Sequence, residues 1–252
     1  MASGFARGAA KRGKIIAFGN KEKRRIVWDQ NSELIFRGNP NIAAPGWERR
    51  PNVEWIPFYR GNRIYNRQEG DRWIWNREFQ AKPGEIFLNA EEKQFSRALE
   101  PGFVLIEPTV PSWKSAAPNK QWPVERYREV ARQLRAAGHD VAQLVYPKVT
   151  QIPEARPIAT KDFRYAMAAM GRAVLYIGPE GGLHHAAAAM ARPAVVLFGG
   201  FIPPAVTGYA THTNLTGGAE ACGSLKPCAH CRAAMNAISV DEVVAAAMGC
   251  LA

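Results

Sequence analysis

The sequence lacks any apolar run close to the roughly 20 residues that a membrane-spanning helix needs. Its opening residues, MASGFARGAAKRGK, hold no apolar h-region, so they do not read as a secretory signal. Cysteine is scarce, with four in 252 residues, and without an export signal a disulfide framework is not the default. Acidic residues are outnumbered, 22 against 33 Lys and Arg. The basic residues are nevertheless scattered and no nucleic-acid recognition motif accompanies them, so no nucleic-acid partner is expected. The net charge of +11 leaves open phosphorylated substrates and peripheral contact with an anionic membrane. The expected location is the cytoplasm, with the basic surface free to lie against the inner face of the membrane.

The chain is long enough to bury a large core, as one large or two small domains. Five of its seven tryptophans (Trp28, Trp47, Trp55, Trp73 and Trp75) fall in residues 1–100. Short β-like runs recur there, at Arg24 to Trp28, Val53 to Tyr59, Arg72 to Trp75 and Glu85 to Leu88, separated by turn-forming Gly, Asn and Pro. Residues 4–12, 31–36 and 90–99 read as helices. An aromatic, Arg-rich half could stack on bases or sugars, but structural packing of tryptophan is the commoner use.

After Pro101-Gly102 the pattern becomes regular. Buried-type strands are expected at 103–106, 141–145, 173–177 and 194–198, with a further one at 213–215. Helices are expected from Pro123 to Ala137, about Asp162 to Met170 and about 182–191, and from Val240 to Met248 behind a Ser239 cap. The Pro-rich stretch of Pro147, Pro153 and Pro157 reads as a loop. Alternating strands and helices make an α/β fold with a parallel sheet. Ligands of such sheets bind at the carboxyl ends of the strands, which places the loops after Ile106, Ile177 and Phe198 on one rim.

The loop after Ile106 offers Thr109, Ser112, Lys114, Ser115 and Lys120, hydroxyls and ammonium groups that suit a diphosphate. The stretch from Gly178 to Gly200, GPEGGLHHAAAAMARPAVVLFGG, is a strand end, a Gly loop and an alanine-rich helix. Free N–H groups and the positive end of that helix favour an anion. Glu180 in this loop can accept hydrogen bonds from sugar hydroxyls. It is weak as a metal ligand, being the one carboxylate there. His184 and His185 lie about 100° apart on a helix, so one faces the cleft and the other packs or is solvated. Cys222, Cys228 and Cys231 form C-x5-C-x2-C around His230. A zinc site and a Cys228–Cys231 redox pair are conceivable, and free structural thiols in a turn are the default.

The Gly178–Gly200 stretch resembles the signature of glycosyltransferase family 9, which includes the heptosyltransferases of lipopolysaccharide synthesis. The family pattern is an Asp-Ser/Thr-Gly loop, a His, an Ala-rich helix, then Pro and a strand ending in Gly. Counted from Pro193, its His falls on His185, its Asp on Glu180, its Ser/Thr on Gly181 and its Gly on Gly182. NKQWPVERYREVARQL similarly resembles the family's Lys-x-Trp-Pro helix start and places the donor-phosphate Lys at Lys120.

The resemblance implies a GT-B-like architecture of two Rossmann-like parallel-sheet domains, the N-terminal one short and incomplete. Residues 1–100 would form the acceptor side and residues 101–252 the nucleotide-sugar side. It implies a metal-independent, inverting transfer of a sugar, with heptose in view, from a nucleotide-diphosphate donor to a saccharide or glycolipid acceptor. The nucleotide sugar would be a co-substrate, with no cofactor or metal. Thr109, Ser112 and Lys120 would hold its diphosphate, and Glu180, Gly181, Gly182 and His185 the rest of it. GFARGAAKRGKIIAFG resembles the first helix and second strand of the family's N-terminal domain, so the first strand and the loop bearing the base are expected before Met1. No catalytic base is named, since Glu107 and Asp29 fit the role poorly. A non-catalytic nucleotide-sugar- or glycan-binding relative is the alternative.

Overall fold

The computed structural model describes residues 2–57, 62–110 and 116–252. The chain starts with helix α1 (Ala2–Ala10), strands β1 (Ile15–Asn20) and β2 (Arg25–Ile26), helix α2 (Gln30–Phe36) and strand β3 (Val53–Pro57). The three strands form a small mixed sheet in the order β2-β1-β3, with β1 parallel to β3 and antiparallel to β2. Ala6, Ala9, Ile16, Phe18, Phe36 and Ile42 fill its core, and the Phe18 and Phe36 rings stack 4.9 Å apart. An antiparallel ribbon follows, β4 (Asn62–Arg63), β5 (Asn66–Glu69) and β6 (Arg72–Trp75), and then helix α3 (Ala90–Arg97). The tryptophans of this half are packing residues. Trp28, Trp47 and Trp55 cover the small sheet, while Trp73 and Trp75 lie against the main core.

The remaining elements alternate: β7 (Val104–Ile106), α4 (Val124–Ala136), β8 (Val141–Val145), β9 (Arg156–Ala159), α5 (Phe163–Met170), β10 (Leu175–Pro179), α6 (Gly182–Ala189), β11 (Ala194–Leu197), α7 (Pro204–Thr207), β12 (His212–Leu215), α8 (Ala229–Ala237) and α9 (Val240–Leu251). Six of the strands form one parallel sheet, ordered β12-β11-β10-β7-β8-β9. Alternating side chains supply both faces. Leu105 and Tyr176 pack with Ala166, Met167, Met170 and Ala187 of α5 and α6. Val104, Ile106, Leu175 and Ile177 pack with Tyr127, Val130 and Leu134 of α4 and with Val243 and Ala247 of α9. From β7 the chain winds outward through β8 and β9, then returns to the other side of β7 to lay down β10. The order therefore reverses between β7 and β10, and a crevice opens beyond the carboxyl ends at such a point.

Arg164 of α5 joins the two halves of the chain. Its guanidinium donates to both carboxylate oxygens of Glu92 at 2.5 and 2.8 Å, to Leu34 O at 2.8 Å and to Phe87 O at 2.6 Å. Both partners of the ion pair are buried. Glu92 in turn closes a capping box with Asn89 at the start of α3. Burial alone would raise the Glu92 carboxyl, but the N–H groups of Arg164 and Asn89 outweigh it and hold the group below its ordinary value.

The structure departs from the sequence expectation at several elements. Glu85 to Leu88 is not a strand; its backbone serves other partners, with Glu85 N donating to Ser3 Oγ at 2.9 Å and Phe87 O accepting from Arg164. The Pro-rich loop contains strand β9, which tolerates Pro157 because it is an edge strand. The cysteine segment, expected to be a turn, contributes helix α8, and the loop after β11 holds the single-turn helix α7, with Pro204 as its first residue. The end of the Val53 to Tyr59 run and the centre of the loop at 111–115 lie outside the described residues. Among the described residues no single helix is long and apolar enough to cross a membrane.

Candidate functional site

Two loops meet at the crevice between β7 and β10. The first leads from β7 into α4 and is pinned by Trp122, which is buried and donates its indole N–H to Ile238 O at 3.0 Å. The edge of its ring meets Tyr127 at 4.8 Å. Pro123 then supplies the fixed φ that starts α4. Lys120, two residues before this plug, ends a short 3-10 turn (Ala117–Lys120) and projects across the crevice. Its ammonium pairs with the Glu180 carboxylate and lies 3.3 Å from Glu180 O. It also sits 5.3 Å from the centre of the Phe201 ring. Lys120 is about one-fifth exposed and Glu180 is buried, so the pair faces the opening from below.

The second loop leaves β10. Glu180 ends it, Gly181 is the N-cap of α6 and Gly182 is its first residue. Gly181 has φ 166 and ψ −158, which is extended backbone, and a Cβ added there would meet nothing within 4 Å. His185 is half-buried, with Nε2 3.6 Å from Glu180 Oε1 and Nδ1 2.9 Å from the Tyr209 hydroxyl. In the tautomer in which Tyr209 donates to Nδ1, the proton sits on Nε2, facing the carboxylate. Burial holds the His185 imidazole well below its ordinary value, and the Lys120 charge adds to the effect. The His184 ring lies beside that of His185, with centres 4.8 Å apart, but deeper in the fold. It is fully buried among Phe198, Tyr209 and His212, with ring centres 5.1–5.5 Å apart. Both its nitrogens lack a partner among the described residues, and burial keeps it neutral.

The structure therefore gathers Lys120, Glu180, Gly181, Gly182 and His185 at one opening. Thr109 is engaged elsewhere: its amide donates to Glu107 Oε1 at 2.9 Å and its hydroxyl accepts from Thr150 N at 3.0 Å. Ser112 lies outside the described residues. Sequence reasoning missed Tyr209, though it sits in the same GGFIPPAVTGY loop as Phe201. It also missed Asn119, which is buried beside Lys120 and bonds Ser224 O, Lys226 O and Cys228 N. Glu107, directly after β7, is buried and its carboxyl is pushed up to about 7 by that burial, against donors from Thr109, Gln143 and Tyr146.

Glu180, His184 and His185 also place three potential metal-ligand atoms within 4.8 Å of one another. The Lys120 ammonium already supplies the cation at that carboxylate. The arrangement brings together one ammonium with its paired carboxylate, the first turn of α6 and a neutral imidazole; ammonium groups and helix N-termini are groups that suit an anion.

The sequence model of glycosyltransferase family 9 (heptosyltransferase) matches residues 78–237. The chain belongs to glycosyltransferase family 9. No curated protein matches it by sequence. Among solved structures, this family 9 chain is similar to the iron-containing dodecameric glycosyltransferase TibC from enterotoxigenic E. coli H10407, at 14% identity, with 94% of this chain and 76% of that one covered and a TM-score of 0.62. That likeness is one of fold, and the α/β architecture is GT-B-like. The glycosyltransferase family 9 structure from Veillonella parvula DSM 2008 matches at 17% identity and a TM-score of 0.49, covering 68% of this chain and 55% of that one. E. coli ADP-heptose lps heptosyltransferase II matches at 18% identity and a TM-score of 0.48, covering 71% and 54%. The chain thus spans about half the length of these two relatives.

The aromatic and histidine cluster under the site predicts a pH dependence. His212 is buried, its Nε2 lies 3.2 Å from Arg192 O, and burial pushes it down to about 4. An unfolded histidine titrates near 6.5, so the unfolded chain binds more protons below that value. The stability from neutral His212 is present above about pH 6.5 and is lost as pH falls towards about 4. Urea unfolding at pH 7 and pH 5 is expected to show a smaller drop for His212→Gln than for the unchanged protein. Glu107 acts with the opposite sign but is common to both proteins, so equal drops would contradict the assignment.

Proposed function

We propose that the chain binds a nucleotide-diphosphate sugar at the Lys120–Glu180 mouth and transfers the sugar to a saccharide or glycolipid acceptor. A heptose carried on ADP is the donor class favoured by the relatives, one of which is described in complex with ADP-D-beta-D-heptose. Residues 101–252 would form the donor side and residues 1–100 the acceptor side. The observation that carries the proposal is the reach of the Lys120 ammonium across the β7–β10 crevice to the loop that starts α6. A diphosphate entering there would take Lys120 and the first-turn N–H groups as partners, with Thr109 and Ser112 as the proposed outer contacts. Glu180, released in part from Lys120, would accept from sugar or ribose hydroxyls, and His185 would donate its Nε2 proton.

In the transfer, an acceptor hydroxyl oxygen forms a bond to the anomeric carbon from the face opposite the phosphate. The bond from that carbon to the phosphate oxygen breaks, and the hydroxyl proton passes to a base. The departing nucleoside diphosphate gains negative charge, which Lys120 and the positive end of α6 offset without a resident metal at this loop. Work at the inner face of an anionic membrane accords with the net charge of +11.

A thermal-shift screen of ADP, GDP, UDP and their sugars tests the proposal. A ligand present at about 100 times its Kd should stabilise by about 2.7 kcal/mol, or roughly 5–10 °C in Tm for a chain of this size. Silence across all diphosphates would remove the donor site. A second reading, a binding protein without turnover, is favoured by the placement of the two acids: Glu107 is buried and Glu180 is buried and already paired with Lys120, so neither stands open to an acceptor hydroxyl. Binding without transfer to any saccharide acceptor would select it.

A further inference from the structure

The three clustered cysteines take no part in the donor mouth, yet the fold brings their sulfurs together. Cys222 lies in the loop after β12, Cys228 is the N-cap of α8 and Cys231 is in its first turn. The Cys222 sulfur is 3.2 Å from that of Cys231 and 4.0 Å from that of Cys228, and all three lie within 4.8 Å of one another. Sulfurs at three corners of a tetrahedron around a metal at 2.3 Å would be about 3.8 Å apart. A disulfide would bring two of them to about 2.05 Å and leave the third without a role.

The backbone holds this arrangement from several sides. Cys222 N donates to Gly200 O at 2.9 Å and Gly223 N to Phe201 O at 3.0 Å. Gly223 has φ +68, and a Cβ there would come 2.2 Å from Trp73 O. That close approach lets Trp73 N donate to Gly223 O at 2.9 Å, so the ribbon braces the loop. Asn119 closes the other side through Ser224 O, Lys226 O and Cys228 N at 2.8–2.9 Å. Ser224 N points at the Cys222 sulfur at 3.5 Å, an outer donor of the kind that supports a ligating thiolate. Cys231 is fully buried, with Gly200 O 3.4 Å from its sulfur. The neighbouring His230 has its Nε2 on Glu220 O at 2.7 Å.

We propose that Cys222, Cys228 and Cys231 ligate one thiolate-preferring divalent cation, zinc or iron(II), with solvent at the fourth corner. Each ligating thiol gives its proton to solvent as its sulfur–metal bond forms. Such soft sulfur donors at tetrahedral spacing select these metals over magnesium or calcium. The ion would tie the N-terminus of α8 to the cysteine loop. Through Asn119 it would also fix the turn that carries Lys120.

The test begins with the unaltered protein, purified without a metal-affinity column. Elemental analysis should find about one zinc or iron per chain, and which element is present identifies the metal. Cys228→Ser and Cys231→Ser should lose most of it, while Cys250→Ser keeps it. Cobalt(II) added to metal-stripped wild-type protein should give the intense visible bands of tetrahedral thiolate ligation, a readout that does not depend on any variant folding. Chelation should lower Tm. The proposal is overturned if the native protein carries no metal and takes up none from zinc, ferrous or cobalt salts. A mass lower by two hydrogens, marking a disulfide in place of the metal, overturns it equally.

Discussion

Arg164→Ala is expected to destabilise the fold by about 3–5 kcal/mol, the size seen when one partner of a buried ion pair is removed. The loss goes beyond one contact. Arg164 satisfies Glu92, Leu34 O and Phe87 O together, so its removal leaves a buried carboxylate and two carbonyls without their donor. For a chain of this length the drop in Tm should be of order 10 °C, measurable by calorimetry. Adding Glu92→Gln to the variant should recover part of the loss, since the stranded charge is then gone. A change of under about 1 kcal/mol for the single variant would show that the pair is not a structural joint. Glu92 also predicts a pH effect. Its folded value is depressed, so its contribution is present above the unfolded value of about 4.3 and is lost as pH falls through the folded one.

Lys120→Ala is expected to weaken nucleoside-diphosphate binding by about 1.5–3 kcal/mol, roughly 10- to 150-fold in Kd, as befits a charge-assisted bond. The variant also strands the buried Glu180 carboxylate, so stability and affinity must be read separately. Lys120→Ala combined with Glu180→Gln removes that stranded charge. If the double variant regains stability but still binds the nucleotide weakly by calorimetry, the lost ammonium is the cause. Unchanged affinity in the single variant would take Lys120 out of the donor site.

Much of the sheet could be read directly from the residues. Val141 to Val145 is apolar except at Gln143 and stands between turn signals, and it is a strand over those five residues. Asp162 caps α5 and Ser239 caps α9 through their side chains, the local chemistry that makes helix starts visible in a sequence. What stayed hidden depends on partners distant in the chain. Pro157 argues against a strand, and only its place at the sheet edge allows β9. Glu85 to Leu88 has strand-forming side chains, but Ser3 and Arg164 take its backbone groups. The site shows the same division. Lys120, Glu180 and His185 stand out through the resemblance of their two stretches to the family's motifs. Tyr209 and Asn119 matter through bonds to residues 24 and 105–109 positions away, which no local pattern encodes. The cysteine spacing fits no standard zinc pattern because Cys222 reaches the cluster through the bent loop at Gly223, not through a second C-x2-C turn.

Gly181 is a position where the fold leaves the choice of residue open. Its backbone is extended and the space around it is open, so neither torsion nor crowding requires a glycine. A Cβ could be added there without moving anything. The scaffold therefore leaves this position at the mouth open to a side chain, and a single substitution could change what the loop presents to a ligand without disturbing the fold around it.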